Sequence, residues 1–119
     1  MNKITGFPIT KGLYSGYIKK INSDIMQFSK IPGRRNEHKV ILFALSTCGW
    51  CKLVKQFLIE NEVEYDYIDI DLSDENEKEE IRQIIRDRGG PVSFPATIID
   101  NKILITGFKK DKIKEVLNF

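Results

Sequence analysis

Val40-Ile41-Leu42-Phe43-Ala44-Leu45 is an unbroken apolar run of six residues, and Ser46-Thr47-Cys48-Gly49-Trp50-Cys51 follows it directly. A run of that length and composition reads as a strand covered on both faces. The period then changes. Trp50, Leu53, Val54, Phe57 and Leu58 recur at helical spacing, with Lys52, Lys55, Gln56 and Glu60 between them. A covered strand that feeds a helix, with a C-x-x-C at the junction, places the chain in the α/β class.

The rest of the pattern extends that unit. Asn61 is a plausible helix stop. Tyr65-Asp66-Tyr67-Ile68-Asp69-Ile70 has strand composition, and Asp74 with Glu77 three residues later can open a second helix. That helix carries Glu75, Glu77, Glu79 and Glu80 early and Arg82, Arg86 and Arg88 late, the order its dipole favours. Ile81, Ile84 and Ile85 form its buried stripe, and Gly89-Gly90-Pro91 ends it. Ala96–Ile99 and Ile103–Ile105 flank Asp100-Asn101, residues that tolerate the left-handed backbone of a tight hairpin. A last helix spans about residues 109–118. The first two strands, joined through a helix, should be parallel with a right-handed crossover, and the last two should be antiparallel. The expected domain is a four-stranded mixed sheet with helices on both faces.

Composition bounds what such a chain can be. With 119 residues, 41% hydrophobic and 30% charged, it suits one domain with an ordinary core. Two cysteines are too few for a disulfide scaffold. No apolar run reaches the roughly 20 residues of a membrane span, and the first residues lack a signal-peptide core. The expected setting is cytoplasmic, where thiols stay reduced. The net charge of +2 hides an asymmetry. Residues 1–39 carry eight basic and two acidic side chains, a balance of +6; residues 40–119 carry eleven and fifteen, a balance of −4. Ile31–Lys39 has no apolar period and contains Pro32 and Gly33, so it reads as a linker or loop. The chain is accordingly divided into a basic N-terminal extension, 1–38, and a compact domain, 39–119. In the extension, Tyr14, Tyr17, Ile18, Ile21, Ile25 and Phe28 lie near helical spacing, so one helix is expected there. It packs on the domain, docks on an acidic partner or membrane surface, or contacts nucleic acid. No nucleic-acid motif is present, and no nucleic-acid partner is expected.

The chemistry lies in the cysteine pair. Cys48 would occupy the N-terminus of a helix, where unpaired N–H groups and the positive dipole end favour a thiolate. Cys51 is one turn along the same face, within reach of the Cys48 sulfur. Such a pair supports two-step exchange: Cys48 attacks a disulfide, and Cys51 resolves the mixed disulfide. Other readings are two inert core cysteines, or half a metal site shared across a dimer. A complete zinc site within one chain needs four ligands, and His38 is the only histidine, so no metal ligand set is assigned.

Cys48-Gly49-Trp50-Cys51-Lys52, Val92-Ser93-Phe94-Pro95-Ala96 and Thr106-Gly107-Phe108 together resemble the glutaredoxins and glutaredoxin-like redoxins, a branch of the thioredoxin fold. The resemblance covers about residues 39–119. It implies a thioredoxin-like fold and a dithiol–disulfide oxidoreductase, with Cys48 as nucleophile and Cys51 as resolving thiol. It also implies a cis Pro95 facing the pair, with the Phe94 backbone free to meet an extended substrate. Thr47, Trp50, Phe94, Pro95, Gly107 and Phe108 become the expected substrate-binding residues, with Trp50 either exposed beside the cysteines or part of the helical stripe. Implied partners are disulfide-containing proteins or glutathionylated substrates, and the chain is expected to be a monomer. No cofactor is required. Glutathione or a reductase would supply electrons.

Glutathione-using members carry proline and tyrosine between the cysteines, a lysine before the first, and Gly-Gly-Asp after the last strand. Here Gly49-Trp50, Leu45-Ser46-Thr47 and Gly107-Phe108 stand at those places. Gly-Phe looks more like the redoxins re-reduced by thioredoxin reductase. An alternative the resemblance also implies is a two-iron two-sulfur cluster carrier held between subunits through Cys48.

Overall fold

The computed structural model describes Ile21 and residues 26–119. Its elements are β1 (Ser29–Ile31), β2 (Val40–Ala44), α1 (Gly49–Glu60), β3 (Tyr65–Asp69), a 3-10 turn (Ile70–Leu72), α2 (Glu75–Asp87), β4 (Ala96–Ile99), β5 (Ile103–Thr106) and α3 (Lys110–Leu117). The sheet order is β1-β3-β2-β4-β5. β2 and β3 are parallel, as a strand–helix–strand crossover requires, and the other pairs are antiparallel. Every residue of β2 is buried, which accounts for its unbroken apolar run.

Alternation along the strands divides the core in two. Val40, Leu42, Ala44 and Ile99 face one way, onto Val54 and Leu58 of α1 and Ile113 and Leu117 of α3. Ile41, Phe43, Ala96 and Ile98 face the other, onto Ile81, Ile84 and Ile85 of α2. Helices therefore cover both faces, in the thioredoxin-like arrangement. The hairpin between β4 and β5 turns on Asp100 and Asn101, both left-handed (φ 54° and 64°). The Asp74 side chain caps α2 by accepting the N–H of Glu77 at 2.8 Å.

The sheet has five strands, where four were expected. The added strand, β1, lies in what charge and periodicity assigned to the extension. It pairs antiparallel with β3, Lys30 opposite Asp66. Asp66 is buried and sits between two cations, Lys30 at 3.4 Å and Lys39 at 2.8 Å. A buried carboxylate needs such partners, so the lysines that make this segment look solvated are part of what fastens it. Ile21 and Met26 are buried on the α2 face, with Phe28 packed beside them. Phe28 is not helical; it leads into β1. The remainder of the expected extension helix, Tyr14 to Ile25 apart from Ile21, lies outside the described residues.

The segment read as a linker is a loop pinned to the domain. Arg35 exchanges backbone hydrogen bonds with Glu62 (2.8 Å) and Glu64 (2.9 Å). Gly33 approaches so closely that a Cβ there would lie 2.5 Å from the Glu62 carbonyl oxygen. His38, also in this loop, places its Nδ1 2.7 Å from the Asp100 carboxylate.

Candidate functional site

Cys48 ends the loop between β2 and α1 and is the N-cap of α1, with extended backbone (φ −89°, ψ 119°). Its Sγ accepts the N–H of Cys51 at 3.2 Å. That N–H is one of the first-turn donors that no carbonyl within the helix can reach. An oxygen usually fills this place, and here it is a sulfur. An N–H directed at sulfur is a better partner for a thiolate than for a thiol.

Cys51 is completely buried, in the core that α1 shares with β2 and α3. Its Sγ accepts the N–H of Leu45 at 3.4 Å. Burial first, then the hydrogen bond with Cys48, pushes the Cys51 thiol up to about 12. The Leu45 N–H and the Lys55 charge pull it the other way. Both cysteines are free thiols, but in different circumstances. Cys48 is partly exposed with a donor aimed at its sulfur, and Cys51 is buried and protonated at neutral pH.

The helix buries Cys51, Val54 and Leu58. Trp50, which the periodicity placed at the start of the stripe, is 63% exposed, and Leu53 is exposed as well. Of the two places the sequence left open for Trp50, the tryptophan stands on the surface, two residues from Cys48. Thr47 is exposed on the other side of Cys48 in the chain.

The second segment arrives from β4. The Phe94–Pro95 peptide is cis. Pro95 is buried, and Phe94 is half-buried against both cores. The Pro95 carbonyl accepts the N–H of Gly107 at 2.8 Å, which ties the turn after β5 to the proline. Gly107 takes φ +82°, a left-handed value that glycine adopts without a Cβ penalty. Phe108 then packs edge-on to Phe57 of α1, with ring centroids 6.2 Å apart. Cys48, Phe94 and Phe108 thus each pack against the core that buries Cys51, and Pro95 and Gly107 are hydrogen-bonded to each other. Thr47 and Trp50 stay outside that core, on the open surface.

Two features escaped the sequence. Asp71, in the 3-10 turn, accepts the backbone N–H of Ser46 (2.9 Å) and its hydroxyl (2.5 Å). Lys55 is paired with Asp69 at 3.1 Å and lies 4.2 Å above the Tyr67 ring. A signal existed for both carboxylates: Asp69 ends β3 and Asp71 follows it, and ligand-facing groups in α/β sheets gather at the carboxyl ends of parallel strands. Among the described residues, no group of three or more His, Cys, Asp or Glu side chains is placed to hold a metal ion. No helix among them is long and apolar enough to cross a membrane.

Comparison with known proteins agrees with this geometry. The glutaredoxin family model matches residues 40–104, from β2 into β5. Glutaredoxin 1 of Rickettsia felis is 33% identical over 64 residues, 54% of this chain and 60% of that protein, so the chain spans about three-fifths of the length of this curated relative. A solved glutaredoxin from Methanosarcina mazei superposes with a TM-score of 0.72 at 39% identity, covering 77% of this chain and 88% of the other. The methanoredoxin of Methanosarcina acetivorans superposes with a TM-score of 0.66 at 37% identity, covering 71% and 88%. A matched segment that takes in more than half the chain and both cysteines, on a thioredoxin-like fold, places this chain in the glutaredoxin family.

Proposed function

We propose that the chain is a dithiol–disulfide oxidoreductase of glutaredoxin type, in which Cys48 attacks and Cys51 resolves. The observation that carries this reading is the asymmetry of the two sulfurs: Cys48 Sγ caps α1 at the surface, and Cys51 is buried one turn behind it. In the first step the Cys48 thiolate attacks a substrate disulfide. A Cys48–substrate S–S bond forms, the substrate S–S bond breaks, and one substrate thiolate leaves to be protonated by water. In the second step Cys51 gives up its proton and attacks the Cys48 sulfur. The Cys48–Cys51 bond forms, the second substrate thiol departs, and two electrons have moved from protein to substrate.

Burial of Cys51 fits this order. A neutral, water-excluded thiol does not compete for the first attack, and it stands next to Cys48 once the mixed disulfide exists. The cis Phe94–Pro95 segment and the exposed Trp50 and Thr47 would receive the substrate, with Gly107 and Phe108 completing the far side. The substrates are disulfide-containing or glutathionylated proteins in a reducing, cytoplasmic setting. Glutathione or a thioredoxin reductase restores the dithiol. Residues 1–20, with Lys3, Lys11, Lys19 and Lys20, would recruit an acidic partner. Removing 1–20 is the deletion that tests this, because Ile21, Met26 and β1 belong to the folded unit.

Turnover of a mixed-disulfide substrate, driven in separate assays by glutathione and by thioredoxin reductase, tests the reading. Wild type turns over with one of the two donors, and Cys48→Ser falls to background with both. A Cys48→Ser protein as fast as wild type would refute it. Full activity of Cys51→Ser on glutathionylated substrates would replace the two-thiol route with a one-thiol route.

A further inference from the structure

We propose that Asp71 is a positioning residue for the cysteine pair, clamping through Ser46 the short turn that both cysteines depend on. The turn is Leu45–Cys48. Its ends are closed by the Cys48 N–H donating to the Leu45 carbonyl at 3.2 Å. The Leu45 N–H donates to Cys51 Sγ at 3.4 Å. Leu45 therefore touches both cysteines through its backbone, with carbonyl to one and N–H to the other. The next residue, Ser46, is bound by both oxygens of one carboxylate: its N–H by Asp71 Oδ1 and its hydroxyl by Asp71 Oδ2. A two-point clamp fixes the orientation of the residue it holds, which a single hydrogen bond does not.

The clamp comes from outside the turn. Asp71 belongs to the 3-10 turn after β3, a separate element 25 positions further along the chain. The two Ser46 hydrogen bonds hold its carboxyl below the ordinary carboxylate range, and Lys78 adds a smaller attraction, so the clamp is ionised at neutral pH. Asp71 is itself exposed and touches neither sulfur among its hydrogen bonds. Its influence runs through Ser46 to the Leu45 peptide, whose N–H stabilises charge on Cys51 during the resolving step.

This inference rests on the two-thiol reading above, and one experiment separates the two. The oxidant is the aromatic disulfide dithiobis-nitrobenzoate. Attack by Cys48 forms a Cys48–aryl disulfide and releases one coloured aryl thiolate. Attack by Cys51 on Cys48 forms the Cys48–Cys51 bond and releases the second, leaving the reagent reduced by two electrons and the protein oxidised by two. The second release reads the resolving step directly.

Asp71→Ala is expected to slow the second release roughly tenfold, the cost of weakening a hydrogen bond to a charged sulfur. Asp71→Asn keeps one carbonyl oxygen for the Ser46 N–H and should remain within about threefold of wild type. Ser46→Ala, which loses one of the two bonds, should fall between them, and the Ser46→Ala/Asp71→Ala pair should be no slower than Asp71→Ala alone. Asp74→Ala, which removes the cap of α2, should lower thermal stability and leave the second release unchanged. A second release at the wild-type rate in Asp71→Ala overturns the positioning role, as does Asp71→Asn as slow as Asp71→Ala. Only one aryl thiolate from wild type overturns the two-thiol reading itself, and with it any role of Asp71 in resolution.

Discussion

At the start of α2 an Asp74 oxygen accepts the N–H of Glu77 at 2.8 Å, and at the start of α1 the Cys48 sulfur accepts the N–H of Cys51 at 3.2 Å. The backbone device is the same: an extended capping residue whose side chain meets the N–H three positions on. What surrounds it differs. The first turn of α2 adds Glu75 and Glu77 and its last turn has Arg86, so both ends of its dipole are compensated by charge. The first turn of α1 holds no acid and its last turn no base. The positive end of α1 is left for the one group that caps it, a sulfur. One helix end is built for stability. The other forgoes that stabilisation and leaves a sulfur at a positive terminus.

Exchanging the roles of the two caps tests this contrast. Cys48→Ser should abolish disulfide exchange, by roughly a thousandfold or more, because the nucleophile is gone. The helix should persist, since serine is a favoured cap. Circular dichroism with a turnover assay checks both halves, and loss of helix along with activity would mean that Cys48 is structural.

The next effect comes from giving α1 the acid it lacks. An added side chain at Gly49 meets nothing within 4 Å, so Gly49→Glu is sterically open. A carboxylate there should stabilise the helix by about 0.3–1 kcal/mol and slow the first exchange step severalfold, by opposing a second negative charge beside it. Stopped-flow rates and denaturant midpoints should move in opposite senses. If both rise, the vacancy at the α1 terminus has nothing to do with reactivity.

Removing the acid cap from α2 is the mirror experiment. Asp74→Ala should cost about 1 kcal/mol, or about 4–8 °C in Tm, with the exchange rate unchanged. A rate that drops with Tm would show the two helix ends to be coupled.

The last effect appears only at alkaline pH. The Cys51 thiol ionises near 9.0 in an unfolded chain and at about 12 here. The folded protein therefore keeps a proton that the unfolded chain gives up in that interval. The stabilisation is fully present below the lower value and is lost as pH rises towards the upper one. Tyr65, pushed by burial to about 12, acts in the same direction from about pH 10 upward. Between about pH 8 and about pH 10.5 wild type should lose more stability than Cys51→Ala, as urea midpoints would record. Equal losses would mean that Cys51 is not held as a buried thiol.

Features that depend on neighbours in the chain are legible in the sequence. The covered strand, the cysteines at its junction with a helix, the Asp74 cap and the Asp100-Asn101 turn each draw on a few consecutive residues. The cis Pro95 came through the family resemblance, because nothing in its own residues specifies the isomer. β1 was missed for a physical reason. Three residues with a lysine in the middle carry no usable period, and their place depends on Asp66, which lies 36 positions beyond Lys30. Trp50 was ambiguous because helical spacing alone does not tell a buried stripe from one rotated by a single residue. The buried stripe runs through Cys51, a residue that the apolar pattern passed over. The place of Asp71 after β3 carries a signal, but its pairing with Ser46 does not, for the same reason as β1: the two ends meet only after β3 lies parallel to β2.

The order of attack is the centre of the mechanism, and one measurement addresses it directly. Cys51→Ser, mixed with a protein or peptide disulfide and quenched in acid, is digested without reductant and examined by mass spectrometry. Resolution is blocked in this variant, so a mixed disulfide should accumulate at Cys48, and Cys48→Ser treated in the same way should accumulate none at Cys51. An adduct on Cys51 in Cys48→Ser that forms as fast as the one on Cys48 would contradict the assignment of surface nucleophile and buried resolving thiol.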